Sequence, residues 1–154
     1  MRSEARSSSG EANRCAPPTE EAHFPTHSIP QGGKAQGALE TTWDLDKFFL
    51  VSKYHSTSPA LVYDSRALAT YDANQACYRS WAFHSLGLIR VSTGKWEGEN
   101  LVFDGAFEFM GMKIKQKITH TKLSPTQIRI ILEQDGGQGF GKIVEATNTR
   151  QEIR

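Results

Sequence analysis

Short runs of alternating apolar and polar residues, divided by turn residues, make up most of the chain from Lys34 onward. The clearest run is MKIKQKITHTK at positions 112–122. Its lysines and threonines alternate with an apolar-rich set, which comprises Met112, Ile114, Gln116, Ile118 and His120. A period of two predicts a β-strand with the lysine face in water and the apolar face on the core.

About nine such runs follow one another at a spacing of roughly ten residues, which is typical of antiparallel sandwiches and barrels. The stretches between them are rich in turn residues, for example Ser58-Pro59, Asp72-Ala73-Asn74 and Ser124-Pro125. No convincing helical period occurs. Because the connections are short, each strand should pair with the next. The pattern predicts an all-β fold, an antiparallel meander that forms a sandwich or a barrel.

The N-terminal part of the chain has a different composition, dominated by Ser, Glu, Arg, Pro and Gly. Such a segment buries too little apolar surface to offset the entropy lost on ordering. We therefore predict a disordered tail over residues 1–22 and a single β-barrel domain over residues 23–150. The stretch FPTHSIPQGG is interpreted as an extended lead-in followed by a turn.

The overall charge excludes one class of function. The chain has 18 Lys and Arg residues and 17 Asp and Glu residues, a formal net charge of +1. Mainly electrostatic binding to nucleic acid is therefore not expected. No apolar run is long enough for a membrane span, and the N-terminus lacks the apolar segment of a secretory signal. We expect a cytoplasmic protein without a membrane or nucleic-acid partner.

Cysteine and histidine usage adds no cofactor or metal site. The chain has two cysteines, too few for a disulfide framework. His23 and His27 have a helical metal-ligand spacing, but Pro25 lies between them and no third ligand is near. We expect no metal and no cofactor.

A second motif, GGQGFGKI at positions 136–143, nearly matches a phosphate-binding loop. The position that should supply a metal-binding hydroxyl is Ile143, and the residues that follow are strand-like rather than helical. A glycine-rich hairpin is the better interpretation.

The stretch TYDANQACYRSWAFHSLG at positions 70–87 has the densest chemistry. On a strand, Cys77, Arg79, Trp81 and Phe83 share one face, and the bulk of that face predicts that it points inward. An inward Arg79 must find a partner, which a ligand carboxylate could supply. Alternatively, it lies at the end of the strand and reaches water.

The run LVFDGAFEF at positions 101–109 places its aromatic residues on one face and Asp104 and Glu108 on the other. These outward acids could lie opposite the outward lysines of the following strand.

Four blocks of this chain resemble a bacterial lipocalin-like family of unknown function, domain-of-unknown-function family 1579. They are GGKAQGALETTWDLDKFFLV, TYDANQACYRSWAFHSLG, GKWEGENLVFDG and LSPTQIRIILEQDGG, within residues 24–149. The resemblance implies a lipocalin-like antiparallel barrel and no particular reaction. Family members open with a G-x-W strand that is absent here. Either the first strand is degenerate, or the start of this reading frame is unusual. A missing strand would leave an open seam, an edge that needs covering or a partner.

The leading functional hypothesis is binding of a small apolar or amphipathic ligand, acidic if Arg79 anchors it, inside the barrel. The candidate pocket residues are Tyr63, Arg79, Trp81, Phe103, Phe107, Gln116 and His120. One alternative is a small isomerase or hydrolase that uses His120 or Tyr63 as acid or base. Another is a non-catalytic interaction protein that forms a homodimer through the open seam. No paired acid and base is visible, so the sequence favours binding over catalysis and assigns no catalytic residue.

Overall fold

Ten antiparallel strands form one sheet in the computed structural model, which describes the backbone of residues 24–26 and all atoms of residues 36–57 and 62–150. The strands are β1 (Phe24–Thr26), β2 (Gln36–Asp44), β3 (Phe49–Thr57), β4 (Val62–Asp72), β5 (Cys77–His84), β6 (Ile89–Glu97), β7 (Asn100–Phe109), β8 (Met112–Ser124), β9 (Gln127–Asp135) and β10 (Gly141–Thr149). Their order in the sheet follows the chain without a crossover. These ranges contain no helix.

The predicted meander is confirmed. Strands β2 to β10 correspond to the nine alternating runs, because period-two alternation and turn residues are both local signals. The tenth strand, β1, lies inside the stretch interpreted as an extended lead-in, and it pairs with β2 through three residues. Three residues are too few to show a period. The predicted tail over residues 1–22 lies outside the described residues.

The sheet curls until its two end strands approach each other. Residues of β1 and β10 come within 8 Å of one another, measured between Cα atoms. Among the described residues, however, no hydrogen-bonded ladder joins these two strands. The architecture is therefore a curled, partly open barrel, with the short strand β1 beside the gap.

Contacts between non-adjacent strands identify the concave face. Arg90 of β6 donates a hydrogen bond to Gln116 of β8, past the intervening strand β7. Gln116 lies opposite Gly105 of β7, which has no side chain to intervene. Side chains can meet in this way only on the inner side of a curled sheet. Alternation along each strand then assigns every other residue to one face or the other.

The concave face is loosely filled. No large side chain among the described residues is fully buried, and the buried apolar residues of the concave face are Ala82 and Ala146. Larger apolar side chains of the concave face keep part of their surface accessible, and they include Leu101, Phe103, Phe107, Ile114, Ile118, Ile130 and Leu132. Close packing would have removed that surface. The interior therefore retains space lined by apolar groups.

The convex face of β8 carries the predicted lysine row. Asp104 lies opposite Lys117, and Glu108 lies opposite Lys113, so the outward acids of β7 do face the outward lysines. Neither pair comes within the 4 Å of an ion pair, so the contribution of these charges to stability is small.

The hairpin between β9 and β10 confirms the interpretation of the glycine-rich motif. The carboxylate of Asp135 accepts hydrogen bonds from the backbone N–H groups of Gly137 and Gly139, at 2.7 and 2.9 Å. Both glycines have positive φ angles, 112° and 95°, which side chains disfavour. These hydrogen bonds lower the pKa of Asp135. The carboxylate of Asp135 thus occupies two backbone N–H groups that a bound phosphate would need.

Two glycines of the concave face should differ in their tolerance of a methyl group. A Cβ added at Gly105 would lie 2.7 Å from the carbonyl oxygen of Val91 and 2.7 Å from Cβ of Ser92. At Gly94 it would meet the ring of Phe103, at 2.6 Å. The ring can turn into the free interior, whereas the backbone of β6 cannot move without disturbing its ladders.

We expect Gly105→Ala to lower the free energy of unfolding by about 1–3 kcal/mol, the usual cost of overpacking. Gly94→Ala should cost clearly less. Urea denaturation of both variants and the parent protein measures the difference. Equal losses, or a larger loss at Gly94, would contradict the assignment of free space beside Phe103.

Candidate functional site

A cluster of polar side chains lies on the concave face at the middle of the sheet. Its centre is Arg90 of β6, and its other members are Tyr63 of β4, His84 of β5, and Gln116 and His120 of β8. Five strands curl around this point, so residues distant in sequence come together. We refer to these five residues as the Arg90 cluster.

Arg90 has no acidic partner in the described part of the chain. Its Nη1 donates to Oε1 of Gln116 at 2.5 Å, and its Nε is buried without a hydrogen-bond partner. Burying a guanidinium with only one neutral acceptor is costly. The charge and the unused donor together form a place where an anion would be stabilised.

Burial and the charge of Arg90 keep both histidines neutral. The pKa of His120 falls to about 4, mainly because burial disfavours the charged ring and secondly because Arg90 repels it. The pKa of His84 also falls to about 4, for the same two reasons in the same order. Burial likewise lowers the pKa of Arg90 itself, with a smaller opposing effect of Tyr63. An arginine nevertheless remains protonated at any ordinary pH.

Tyr63 and His84 are hydrogen bonded through the hydroxyl and Nδ1. Burial raises the pKa of Tyr63 more than the charge of Arg90 lowers it, so the phenol stays neutral. With a neutral imidazole, the hydroxyl donates to Nδ1, and the ring proton then resides on Nε2. His84 therefore keeps an N–H group that a ligand could use.

An apolar surface adjoins the Arg90 cluster on β7, β8 and β9. Phe103 lies opposite Ile118, which in turn lies opposite Leu132. The rings of Phe103 and His120 meet edge to face, with 5.9 Å between their centroids. The site thus combines a cationic end with an apolar wall, which suits an amphipathic molecule.

The structure places five of the seven predicted pocket residues on the concave face. They are Tyr63, Phe103, Phe107, Gln116 and His120. Tyr63, Gln116 and His120 belong to the Arg90 cluster, and Phe103 contacts His120. That any of them binds a ligand stays a prediction.

The orientation predicted for β5 is wrong, and Arg79 and Trp81 lie on the convex face. Trp81 is opposite Leu68 and Val91, which are 37% and 44% exposed. Arg79 lies 3.6 Å from the carboxylate of Asp72, and its guanidinium stacks 5.6 Å from the ring of Trp81. The small residues of β5, not the bulky ones, face the interior.

Sequence reasoning missed Arg90 and the role of His84. Arg90 lies between Ile89 and Val91, and two apolar neighbours normally indicate that the residue between them faces water. The available signal was residue size, because Ser92 and Gly94 share the face of Arg90 and lie where the sheet leaves little room. These small neighbours favour an inward position for Arg90, and Trp96 shares the same face only at the far end of β6.

Three further expectations concern metals, cysteines and membranes. Within the described residues, no group of three or more metal-binding side chains occurs. His23, His27 and Cys15 lie outside those residues, and Cys77 is a buried free thiol. The described ranges also hold no helix that could cross a membrane.

Comparison with known proteins bears on the fold alone. No family model matches the sequence, and no curated protein matches it. Among solved structures, the chain is similar to the crystal structure of Rv2717c from M. tuberculosis, with a TM-score of 0.54 and 12% sequence identity. The match covers 85% of this chain and 90% of that chain. At this identity the likeness shows a shared β-barrel architecture, and nothing about ligands.

Proposed function

We propose that the concave face binds a small amphipathic molecule with an acidic head group. The observation that carries this proposal is Arg90, a buried guanidinium with no acidic partner among the described residues and an unused Nε donor. A protein gains nothing in stability from such a group. A ligand carboxylate would supply both the missing countercharge and the missing acceptor.

The head group would be held by donors of the Arg90 cluster. A carboxylate can accept two parallel hydrogen bonds from one guanidinium, here from Nε and a terminal nitrogen of Arg90. The Nε2–H group of His84 adds a neutral donor on the same face. The apolar tail would lie along Phe103, Ile118 and Leu132, where the interior is loosely filled.

A pair of matched probes tests the proposal. Decanoate and 1-decanol share a tail and differ in the charge of the head group, and their affinities can be compared by isothermal titration calorimetry at neutral pH. We expect decanoate to bind at least about tenfold more tightly, a difference of about 1.4 kcal/mol. Equal affinities would remove the anion site from the proposal, and no binding of either probe would remove the ligand-binding function.

The Tyr63–His84 hydrogen bond favours a second candidate function, acid–base catalysis on a bound molecule. It joins a proton donor directly to an acceptor. A histidine with a pKa of about 4 is, however, a weak base at neutral pH. Binding therefore remains the better-supported function, and the enzyme stays a hypothesis.

Membership of the lipocalin-like family of unknown function 1579 is also a proposal. It rests on the four sequence blocks that resemble this family and on the barrel architecture those blocks imply. A cytoplasmic location and a bacterial origin likewise belong to the proposal.

A further inference from the structure

The convex face carries a contiguous apolar surface on β4, β5 and β6. We call it the convex patch, and it consists of Leu68, Trp81, Phe83, Ile89 and Val91. Phe83 is 44% exposed and Ile89 is 60% exposed. Exposed apolar residues scattered singly need no explanation, but contiguous ones mark interaction sites.

Strand register makes the patch continuous. Leu68 lies opposite Trp81, and Trp81 lies opposite Val91, so these three side chains form one row across three strands. Phe83 lies opposite Ile89 in the next row. The row of Val91 continues onto β7 as Ala106.

Two charged residues of opposite sign border the patch, one on each side. Arg66 of β4 lies opposite Phe83. On the other side, Glu108 of β7 lies two residues beyond Ala106 and lines a depression together with Ile89. Both side chains are exposed, and neither forms an ion pair within the described residues.

A shallow depression of about 540 Å³ borders the patch on the side of Glu108. Ile89, Val91 and Ala106 contribute to its lining, together with Glu108 and Lys113. It follows the place where β6 and β7 part, because their ladder ends at Val91 and Ala106 while β7 runs on to Phe109. The depression thus offers space beside the exposed side chain of Ile89.

We infer that the convex patch binds a second copy of this chain. A twofold axis parallel to the strands, between β5 and β6, would exchange the two sides of the patch. Arg66 would then lie opposite Glu108 of the partner subunit, and Phe83 would lie opposite the partner subunit's Ile89 and the depression beside it. Both contacts occur twice, as a twofold interface requires.

The charged residues beside the convex patch favour a second copy of this chain over an unrelated partner. An unrelated partner would have to supply an acid for Arg66 and a base for Glu108 at the matching distance. This chain already carries both, on opposite sides of an apolar centre. An apolar centre with a charged rim is also the usual composition of a stable interface.

Sedimentation equilibrium over a wide range of concentrations tests the inference on the full chain. We expect the average mass to rise from that of a monomer to that of a dimer. Phe83→Asp should weaken the dimer at least about 100-fold, because it places a charge at the apolar centre. Leu123→Asp, at a residue that is 48% exposed on β8 outside the patch, should not change the dissociation constant.

Charge exchange gives a second, independent test that leaves the apolar centre intact. Arg66→Glu and Glu108→Arg should each weaken the dimer by about tenfold, and the double variant should restore it, because the pairs are then re-formed with reversed sign. Circular dichroism checks that each variant keeps its fold.

Three results would overturn the inference. One is a parent protein that stays monomeric at every concentration. Another is a dimer that is indifferent to both single charge reversals. The third is a monomer whose Trp81 is shielded from hydroxyl-radical labelling, which would mean that another part of this chain covers the patch.

Discussion

Replacing Arg90 with Met should weaken the binding of decanoate by about 30- to 1,000-fold and leave the binding of 1-decanol almost unchanged. The loss corresponds to about 2–4 kcal/mol, the usual cost of removing one partner of a buried, hydrogen-bonded charge pair. Met matches the Arg side chain as far as Nε, so the apolar stem of the residue is kept while the charged end is removed. Calorimetric titration of both probes into both proteins measures the effect.

The same variant should not lose stability. In the ligand-free protein Arg90 is buried with one neutral acceptor, so its removal takes away an unfavourable charge as well as one hydrogen bond. We expect the free energy of unfolding of Arg90→Met to equal or exceed that of the parent protein in urea. Lost binding without lost stability is typical of a residue kept for function.

Arg79→Met is the matched control. It removes an arginine from β5, the neighbouring strand, but from the convex face, where Arg79 lies near Asp72. Decanoate affinity should stay at the parent value. A large loss in Arg79→Met combined with none in Arg90→Met would reverse the assignment of the two faces and restore the site expected from the sequence alone.

Acidification should destabilise the protein between pH 6.5 and pH 4. His84 and His120 have pKa values of about 4 when folded and an ordinary value of 6.5. In this window the unfolded chain binds protons that the folded protein does not, so the free energy of unfolding rises with pH. The free energy of unfolding has its full value above pH 6.5, and it falls as the pH drops toward 4.

His120 should dominate this pH dependence. A shift of this size at a part-buried ring corresponds to at most about 3 kcal/mol. The effect of His84 is smaller than its pKa alone would give, because solvent screens this more exposed ring. Urea denaturation at a series of pH values in the parent protein and in His120→Gln measures the difference.

We expect His120→Gln to remove most of the slope between pH 6.5 and pH 4. In Arg90→Met the pKa values of both histidines should rise, because the charge of Arg90 is the second cause of their low values. The loss of stability should then be complete at a higher pH than in the parent protein. The lowered pKa of the Asp135 carboxyl places its titration below the window, so it does not mask the effect. An unchanged slope in His120→Gln would show that this ring is not enclosed as the structure places it.

The sequence predicts the strands of this fold well, because the signals for strands are local. Alternation in β8 and turn residues such as Asp135 and Gly137 act over a few positions, and no distant part of the chain is needed to interpret them. The glycine-rich hairpin is predictable for the same reason, since Ile143 alone excludes a metal-binding loop.

The site is predictable only in part, because a period of two shows which residues share a face and not which face is concave. On β8 the row of lysines shows which face lies in water, so the opposite face is the concave one. On β5 both faces carry apolar residues, and the rule that bulk points inward fails there. Ser80 and Ala82 face the interior opposite small residues, Ala69 and Ala67, so Trp81 is left for the convex patch. Only the curl of the sheet, a long-range property, brings Arg90 to Gln116.

The loosely filled interior also bears on how such a chain can change over evolutionary time. Where no large side chain is fully enclosed, exchanging one apolar residue for another creates little new cavity and little overpacking. Such exchanges change stability only slightly, so selection for stability acts weakly on these positions. Backbone approaches such as that at Gly105 remain strictly constrained. Lineages can therefore replace most of the inner wall while the strand order persists.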